Sequence, residues 1–543
     1  MNRFNITIAA TAALLLLAAP ARTASAQDAA PESPDNSAYI LTPPAPDSPR
    51  INGPRVYGAR PRADFLYRIP ATGVRPMSFS AKGLPRGLKL DKDSGIISGR
   101  APRRKGTYRV TLTAQNSAGS AERELRIVVG SKIALTPPLG WNSWNCWGNS
   151  VSQEKVMSSA RAMLEKGLAD YGWSYINIDD GWQGLRGGKW NAIQPNSKFP
   201  DMKGLADWLH ARGLKLGIYS GPWCGTYAGH IGTSSPNPEG IYPWVEAGIV
   251  DSVYKVDRSR MKRDSVWFFG PYSFAKADAA QWADWGVDYL KYDWNNNDPW
   301  WLRDMRQALL ATRRDIVYSI SNSSRVVMGP TLQENAECWR TTGDIRDNWN
   351  SIYTIGFEGQ DRWARFKEPG NWPDADMLVV GKVGWGPKTH WTGLTPDEQY
   401  THITLWSILA SPMLIGCDMA ELDDFTVSLL CNSEVLDVNQ DPLGLQGVRQ
   451  YGDATYATYV KPLEDGSVAV AMFNLSSEPK KIGFVPHSLG LFETQTVRDL
   501  WRQQDVATVA RKDRWETEVA PHGVAFVRLS PGLTGEKLQG FWR

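Results

Sequence analysis

From Gly286 to Asp293 the chain reads Gly-Val-Asp-Tyr-Leu-Lys-Tyr-Asp, an apolar, strand-like run that stops on Lys291 and Asp293 before a polar, aromatic stretch reaching Trp301. Two residues apart on a strand, these side chains share a face, so Lys291 would keep the Asp293 carboxyl ionised and could donate to a hydroxyl. The pattern recurs. The run from Tyr175 to Ile178 ends on Asp179 and Asp180, and the run from Leu214 to Ile218 ends on Tyr219. Other expected strand ends carry Trp141, Ser321, and then Arg340 with Asp344, while Asp374 and Asp376 stand ahead of a seventh apolar run. Several carboxylates among aromatic rings, with one Lys and one Arg, suit glycoside hydrolysis. In that reaction one carboxylate attacks or activates water and another protonates the leaving oxygen. Phosphoryl transfer is the competing use of an acid-rich cleft, but it wants a divalent metal and a phosphate-cradling loop, and neither signature is present. The six histidines show no HxxxH or HExxH spacing and the five cysteines no CxxC. No metal site and no cofactor are expected.

Delivering charged groups to one edge is what a parallel strand covered on both faces does, since ionised side chains are expelled to its carboxyl end. Strands are expected near 138–143, 174–179, 214–219, 287–292, 316–320, 337–341, 376–380 and 411–416. Helices are expected between most of them, including 152–167, 201–212, 271–285, 299–314 and 397–410. Eight such units in about 300 residues predict a (β/α)8 TIM barrel. The long insert from Gly221 to Phe269, rich in Gly, Pro, Trp and Tyr, belongs on its functional face. Flanking the barrel, short alternating runs punctuated by turn residues predict an N-terminal Ig-like β-sandwich and a C-terminal antiparallel β-sandwich.

The N-terminus reads as a secretory signal, with Arg3, an apolar stretch from Ile6 to Ala19, and Ala24-Ser25-Ala26 before Gln27. Its removal takes Arg3 and Arg22 and lowers the formal charge from +3 to +1, leaving no basic field for nucleic acid. The protein is expected to be exported to the periplasm or medium, and no later segment is apolar enough to span a membrane. The expected division is 1–26 signal peptide, 27–49 Pro-rich linker, 50–131 Ig-like module, 132–447 barrel and 448–543 C-terminal β-domain. The 25 tryptophans suit sugar faces as well as cores. Cys146, Cys224, Cys338, Cys417 and Cys431 are odd in number, so at least one thiol stays outside any internal bridge.

Seven segments in order carry a family resemblance. These are Leu135 to Trp144, Tyr175 to Trp182, Lys215 to Tyr219, Tyr289 to Asp293, Trp339 to Ile345, Asp374 to Leu378 and Val438 to Gly444. Together they resemble glycoside hydrolase family 27, the retaining α-galactosidases and α-N-acetylgalactosaminidases. The stretch Gly83 to Leu90, with Ser94 to Gly99, Gly106 to Tyr108 and Asn116 to Gly119, resembles immunoglobulin-like, cadherin-like modules of bacterial surface enzymes. The family resemblance implies Asp293 as nucleophile and Asp344 as acid/base. It further implies Asp179 and Asp180 on the axial 4-hydroxyl and the 6-hydroxyl, Lys291 on the 3- and 4-hydroxyls, Arg340 near the 2-position, and Trp141 and Tyr219 lining the pocket. The implied substrate is an oligosaccharide or glycoconjugate with a terminal α-galactose-type sugar. Retention calls for carboxyl groups about 5 to 5.5 Å apart.

The chain also departs from that pattern. Gly181 stands where members often have Cys, and Trp294 and Asn295 stand where a second Cys often follows the nucleophile, so the implied disulfide is absent and Cys224 is expected as a buried free thiol. Where animal and plant α-galactosidases carry Cys-Glu-Trp, the fifth strand end reads Ser319-Ile320-Ser321. Ser321 removes a charge and opens volume near the sugar's 2-position, where an N-acetyl group fits. The expectation is therefore an α-galactosidase, with α-N-acetylgalactosaminidase, β-L-arabinopyranosidase and, from another class, a non-catalytic carbohydrate-binding protein as alternatives.

Overall fold

Along Gly106–Asn116 the residues Val110, Leu112 and Ala114 are buried while those between them are at least partly exposed, the period of two that makes a half-covered strand. In the computed structural model, which describes residues 34–242, 267–295 and 297–531, this strand joins a four-stranded sheet with Val56–Ala59, Gly119–Val129 and Ser78–Lys82. A three-stranded sheet of Asp64–Arg68, Ile96–Arg100 and Leu88–Leu90 faces it across a shared core that includes Phe65, Phe79, Ile97 and Ile127. The expected signal peptide lies outside the described residues. The described part of the proline-rich stretch is anchored: Tyr400 donates its hydroxyl to the Tyr39 carbonyl at 2.7 Å, and Thr42 Oγ1 donates to the Ser428 carbonyl at 2.9 Å.

The barrel strands are β1 (Leu139–Asn142), β2 (Tyr175–Asn177), β3 (Lys215–Ser220), β4 (Val287–Asp293), β5 (Val317–Ser321), β6 (Cys338–Arg340), β7 (Trp372–Asp374) and β8 (Met413–Ile415). They pair in parallel in the order β7-β6-β5-β4-β3-β2-β1-β8. Leu378 closes the ring against β8, donating to the Leu414 carbonyl at 2.8 Å and accepting from the Gly416 amide at 2.9 Å. All six residues of β3 are buried, as are all of β4 except the half-buried Lys291. Helices Gln153–Glu165, Met202–His210, Ala275–Trp285, Pro299–Ala311 and Pro396–Ile408 lie where the apolar periodicity places them.

One strand differs from expectation. The apolar run 376–380 reads as the seventh strand, but β7 is Trp372–Asp374 and only Leu378 of that run pairs in the barrel. Asp376 has φ +85, a left-handed conformation that an extended strand cannot pass through. Asp374 therefore ends a strand instead of preceding one, and both carboxylates reach the functional face.

Val468–Asn474 is buried at all seven positions because it divides two cores. Ala469, Ala471 and Phe473 join the barrel's apolar cluster, while Val468, Val470 and Met472 join that of the C-terminal β-domain. The same sandwiching buries helix Pro396–Ile408 on every side from Glu398 onward, which explains its lack of a polar face. At the strand starts the N-terminal module lies against the barrel. Lys215 Nζ donates to the Tyr57 hydroxyl at 2.6 Å, and Arg60 meets Asp315 at 2.6 Å around a cavity of about 550 Å³.

Candidate active site

Strand β4 ends on Asp293 because burial on both faces leaves its carboxyl end as the place for an ionisable group. Tyr219, near the end of the adjoining β3, donates its hydroxyl to Asp293 Oδ2 at 3.0 Å. Asp293 Oδ1 is buried and has no hydrogen-bond partner among the described residues. Burial, helped by Asp179 and Asp344, lifts the Asp293 carboxyl to about 6 against the opposing pull of Lys291 and the Tyr219 hydroxyl. Lys291 Nζ donates to Asp179 Oδ2 at 2.8 Å and stands 5.4 Å from the centre of the Tyr219 ring. Its burial, which disfavours charge, is outweighed by Asp179 and Asp293, so it stays a cation.

The β2 end is built from fixed donors. Asp179 accepts from Asn142 Nδ2 at 2.9 Å as well as from Lys291, and its own amide donates to Ser143 Oγ at 3.0 Å. Asp180 accepts from Thr226 Oγ1 at 2.9 Å and from the Ala228 amide at 2.8 Å. Burial pushes Asp180 up to about 7 despite those two donors. Thr226 and Ala228 belong to the insert after β3, whose described part thus reaches the site. Trp141 is fully buried, donating its indole N–H to the Cys417 carbonyl at 2.8 Å.

Ser321 is the register partner of Asp293 across β4 and β5, and its carbonyl accepts from the Trp294 amide at 3.2 Å and from Asn297 Nδ2 at 3.2 Å. On β6, Arg340 is buried between two acids. Its Nη1 lies 2.7 Å from Asp376 Oδ1, and its Nη2 lies 3.4 Å from Asp344 Oδ1. Asp344 is the open member of the group, with its side chain 62% exposed. What desolvation it has pushes its carboxyl up, but Arg340, Lys291 and Arg346 outweigh this and hold it below the usual carboxylate value.

All nine residues singled out in the sequence lie at or just beyond the carboxyl ends of barrel strands. Asn142 and Thr226 lie outside that set, and Asp376, noted in the sequence only as a carboxylate ahead of the seventh run, joins the site through Arg340. Asn142 lies inside the Leu135–Trp144 segment at the end of β1, where the strand-end logic points. Thr226 sits in an insert with no periodicity and gave no signal. Among the described residues no group of three or more His, Cys, Asp or Glu side chains could hold a metal ion.

The cysteine departures have physical reasons. Gly181 has φ +115, a backbone conformation strained for any side chain, and a Cβ there would stand 2.6 Å from the Asn149 side-chain Oδ1, which would have to shift to admit a Cys. Trp294, the residue after Asp293, is a fully buried ring whose centre lies 5.3 Å from that of Tyr292. All five cysteines are buried free thiols. Burial raises Cys224 to about 11, an inert thiol.

Comparison with known proteins identifies the family. The family described as Alpha galactosidase A matches residues 136–239 and 256–441, the Alpha galactosidase C-terminal beta sandwich domain matches 453–529, and an Ig domain family matches 22–130. Alpha-galactosidase 2 of Arabidopsis thaliana is 33% identical over 78% of this chain and 96% of its own length. An alpha-galactosidase of Coffea arabica is 35% identical over 76% and 99%. Among solved structures, a Bacteroides fragilis protein provisionally labelled an alpha-galactosidase/melibiase superposes with a TM-score of 0.78 at 34% identity, covering 90% of this chain and 99% of that one. A β-L-arabinopyranosidase of Geobacillus stearothermophilus gives 0.61 at 29% identity, covering 74% and 98%. The chain belongs to the α-galactosidase family, glycoside hydrolase family 27, and is a glycosidase.

Proposed function

We propose that this glycosidase is an exported, retaining exo-enzyme that removes terminal α-D-galactosyl residues through a covalent glycosyl-enzyme. The observation that carries the reading is the Asp293 carboxylate at the carboxyl end of β4, with one oxygen held by Tyr219 and the other buried and unpartnered among the described residues. That second oxygen is the attacking atom. Asp344 protonates the glycosidic oxygen as Asp293 bonds to the anomeric carbon and the aglycone leaves. Water then attacks that carbon, Asp344 takes its proton, and the Asp293 ester breaks. Asp179 and Asp180 hold the axial 4-hydroxyl and the 6-hydroxyl, Lys291 the 3- and 4-hydroxyls, and Trp141 and Tyr219 wall the pocket. Arg340 and Ser321 border the 2-position. Rates on aryl α-galactoside, aryl α-N-acetylgalactosaminide and aryl β-L-arabinopyranoside test this choice, and a clear preference for either of the latter two overturns it.

The small Ser321 beside Asp293 favours N-acetylgalactosamine as the second reading, and the likeness to the Geobacillus enzyme favours arabinopyranose as the third. The chain is further proposed to lose residues 1–26 on export. The remainder would be divided at 27–49, 50–131, 132–447 and 448–543, with the natural substrate an oligosaccharide or glycoconjugate.

A further inference from the structure

Asp344 is the least supported of the polar groups at the site, exposed and 3.4 Å from its one ion-pair partner, yet an acid that protonates a leaving oxygen must be held in place. The peptides on both sides of it are gripped by a single buried ion pair. Arg340 Nη2 donates to the Gly343 carbonyl at 2.6 Å and to the Thr342 carbonyl at 3.3 Å, fixing the chain before Asp344. Asp376 Oδ2 accepts from the Ile345 amide at 2.8 Å, fixing the chain after it. The other oxygen of Asp376 holds Arg340 itself at 2.7 Å, with both side chains at most 4% exposed.

Asp376 is in turn clamped from behind. Its amide donates to Asp374 Oδ1 at 2.8 Å, and its carbonyl accepts the Trp406 indole N–H at 2.7 Å. Trp406 is fully buried on helix Pro396–Ile408, the helix wedged between the barrel and the C-terminal sheet. A buried Asp–Arg pair contributes little net stability compared with a packed apolar pair, so its geometry carries more weight than its energy.

We propose that Asp376 is the positioning residue for Asp344. Through Arg340 on one side and the Ile345 amide on the other, it holds the proton donor over the leaving oxygen. The proposal rests on the acid/base reading of Asp344. With Asp376 neutral, the Arg340 guanidinium loses its nearer carboxylate and is left to Asp344, which is drawn into an ion pair and away from the glycosidic oxygen.

The test is the dependence of kcat/KM on the leaving group. A dinitrophenyl α-galactoside departs without a proton, whereas melibiose needs one. Asp376→Asn keeps the shape and an acceptor for Ile345, and should lose about 100-fold on melibiose but less than about 5-fold on the dinitrophenyl substrate. Trp406→Phe removes only the donor to the Asp376 carbonyl and should show the same split at about 3-fold, which preserves the test if Asp376→Asn does not fold. Equal losses on both substrates in each folded variant would reduce Asp376 to a structural residue and overturn the proposal. Asp344→Ala, assayed in parallel with azide, separates the two ideas. If it shows no leaving-group split and no azide rescue, the acid/base reading fails. If it shows both and the other variants show no split, only the role of Asp376 fails.

Discussion

Tyr219 donates its hydroxyl to Asp293 Oδ2 at 3.0 Å, while Oδ1 of the same carboxylate is buried with no hydrogen-bond partner among the described residues. Leaving a buried acceptor unmade costs about 1–3 kcal/mol, a cost that folds tolerate where a reacting atom will later complete the contact. Asp293→Asn should therefore lose on the order of 10⁴-fold in kcat/KM on an aryl α-galactoside while keeping or raising the unfolding temperature, because a desolvated carboxylate has been replaced by a neutral amide. Equal rates for the purified wild type and variant would mean that Asp293 is not the nucleophile.

The pH dependence follows from the two shifted carboxyls. Burial lifts Asp293 to about 6, while Arg340, Lys291 and Arg346 outweigh desolvation and hold Asp344 below its ordinary value. The working state has Asp293 ionised and Asp344 protonated, the reverse of what the two shifts favour, so it is the minor arrangement of a pair that holds one proton. Above about 6 that proton is lost and no acid remains, and kcat/KM on an unactivated galactoside should fall about tenfold per pH unit. On the acid side a second proton leaves both carboxyls neutral, and no ionised nucleophile remains. A profile flat from pH 6 to 8 would contradict this assignment.

Strand ends were legible because burial on both faces of β3 and β4 writes itself as an apolar run with a charge at its end. Asp293, Lys291, Tyr219 and the Asp179-Asp180 pair follow from that rule. The seventh strand was misplaced because its hydrophobic run continues past a left-handed Asp376, and a φ of +85 at a non-glycine leaves no mark in periodicity. The same kink hid the clamp on Arg340. Thr226 and Ala228 hold Asp180 from the far side of the sequence, 46 and 48 residues on, and no local pattern announces such contacts. Gly181 was visible as a departure, but only its conformation, φ +115, shows why a side chain is strained there.

At the opposite end of the barrel, Lys215 Nζ reaches the Tyr57 hydroxyl at 2.6 Å and lies 4.7 and 4.8 Å from the centres of the Tyr57 and Tyr175 rings. Tyr57→Phe keeps the ring contact and removes the acceptor from a buried ammonium. It should cost about 1–3 kcal/mol in chemical denaturation and leave kcat unchanged. An altered kcat with unaltered stability would mean that the N-terminal module influences the chemistry.

Ser321 is the β4–β5 register partner of Asp293, so Ser321→Glu would set a second carboxylate beside the proposed nucleophile. Activity on an aryl α-N-acetylgalactosaminide should drop more than about tenfold relative to the galactoside, since the longer side chain takes the space of the acetyl group. The added negative charge should also raise the Asp293 carboxyl above its starting value of about 6, visible as an upward move of the high-pH limb. An unchanged substrate ratio would place the 2-position elsewhere.

Export predicts a mature N-terminus at Gln27 when the full chain is expressed in a bacterium with a periplasm, checked by intact mass of the fractionated protein. Retention of residues 1–26 on a cytoplasmic product would contradict it.

The most direct test of Asp293 as nucleophile and Asp344 as acid/base is peptide mapping of a trapped glycosyl-enzyme. Asp344→Ala treated with a fluoro-substituted, activated α-galactoside should gain one glycosyl unit on the peptide carrying Asp293, because formation needs no acid and breakdown lacks its base. An adduct on any other residue, or no adduct together with β-galactose as the first product of the wild type, would contradict the account.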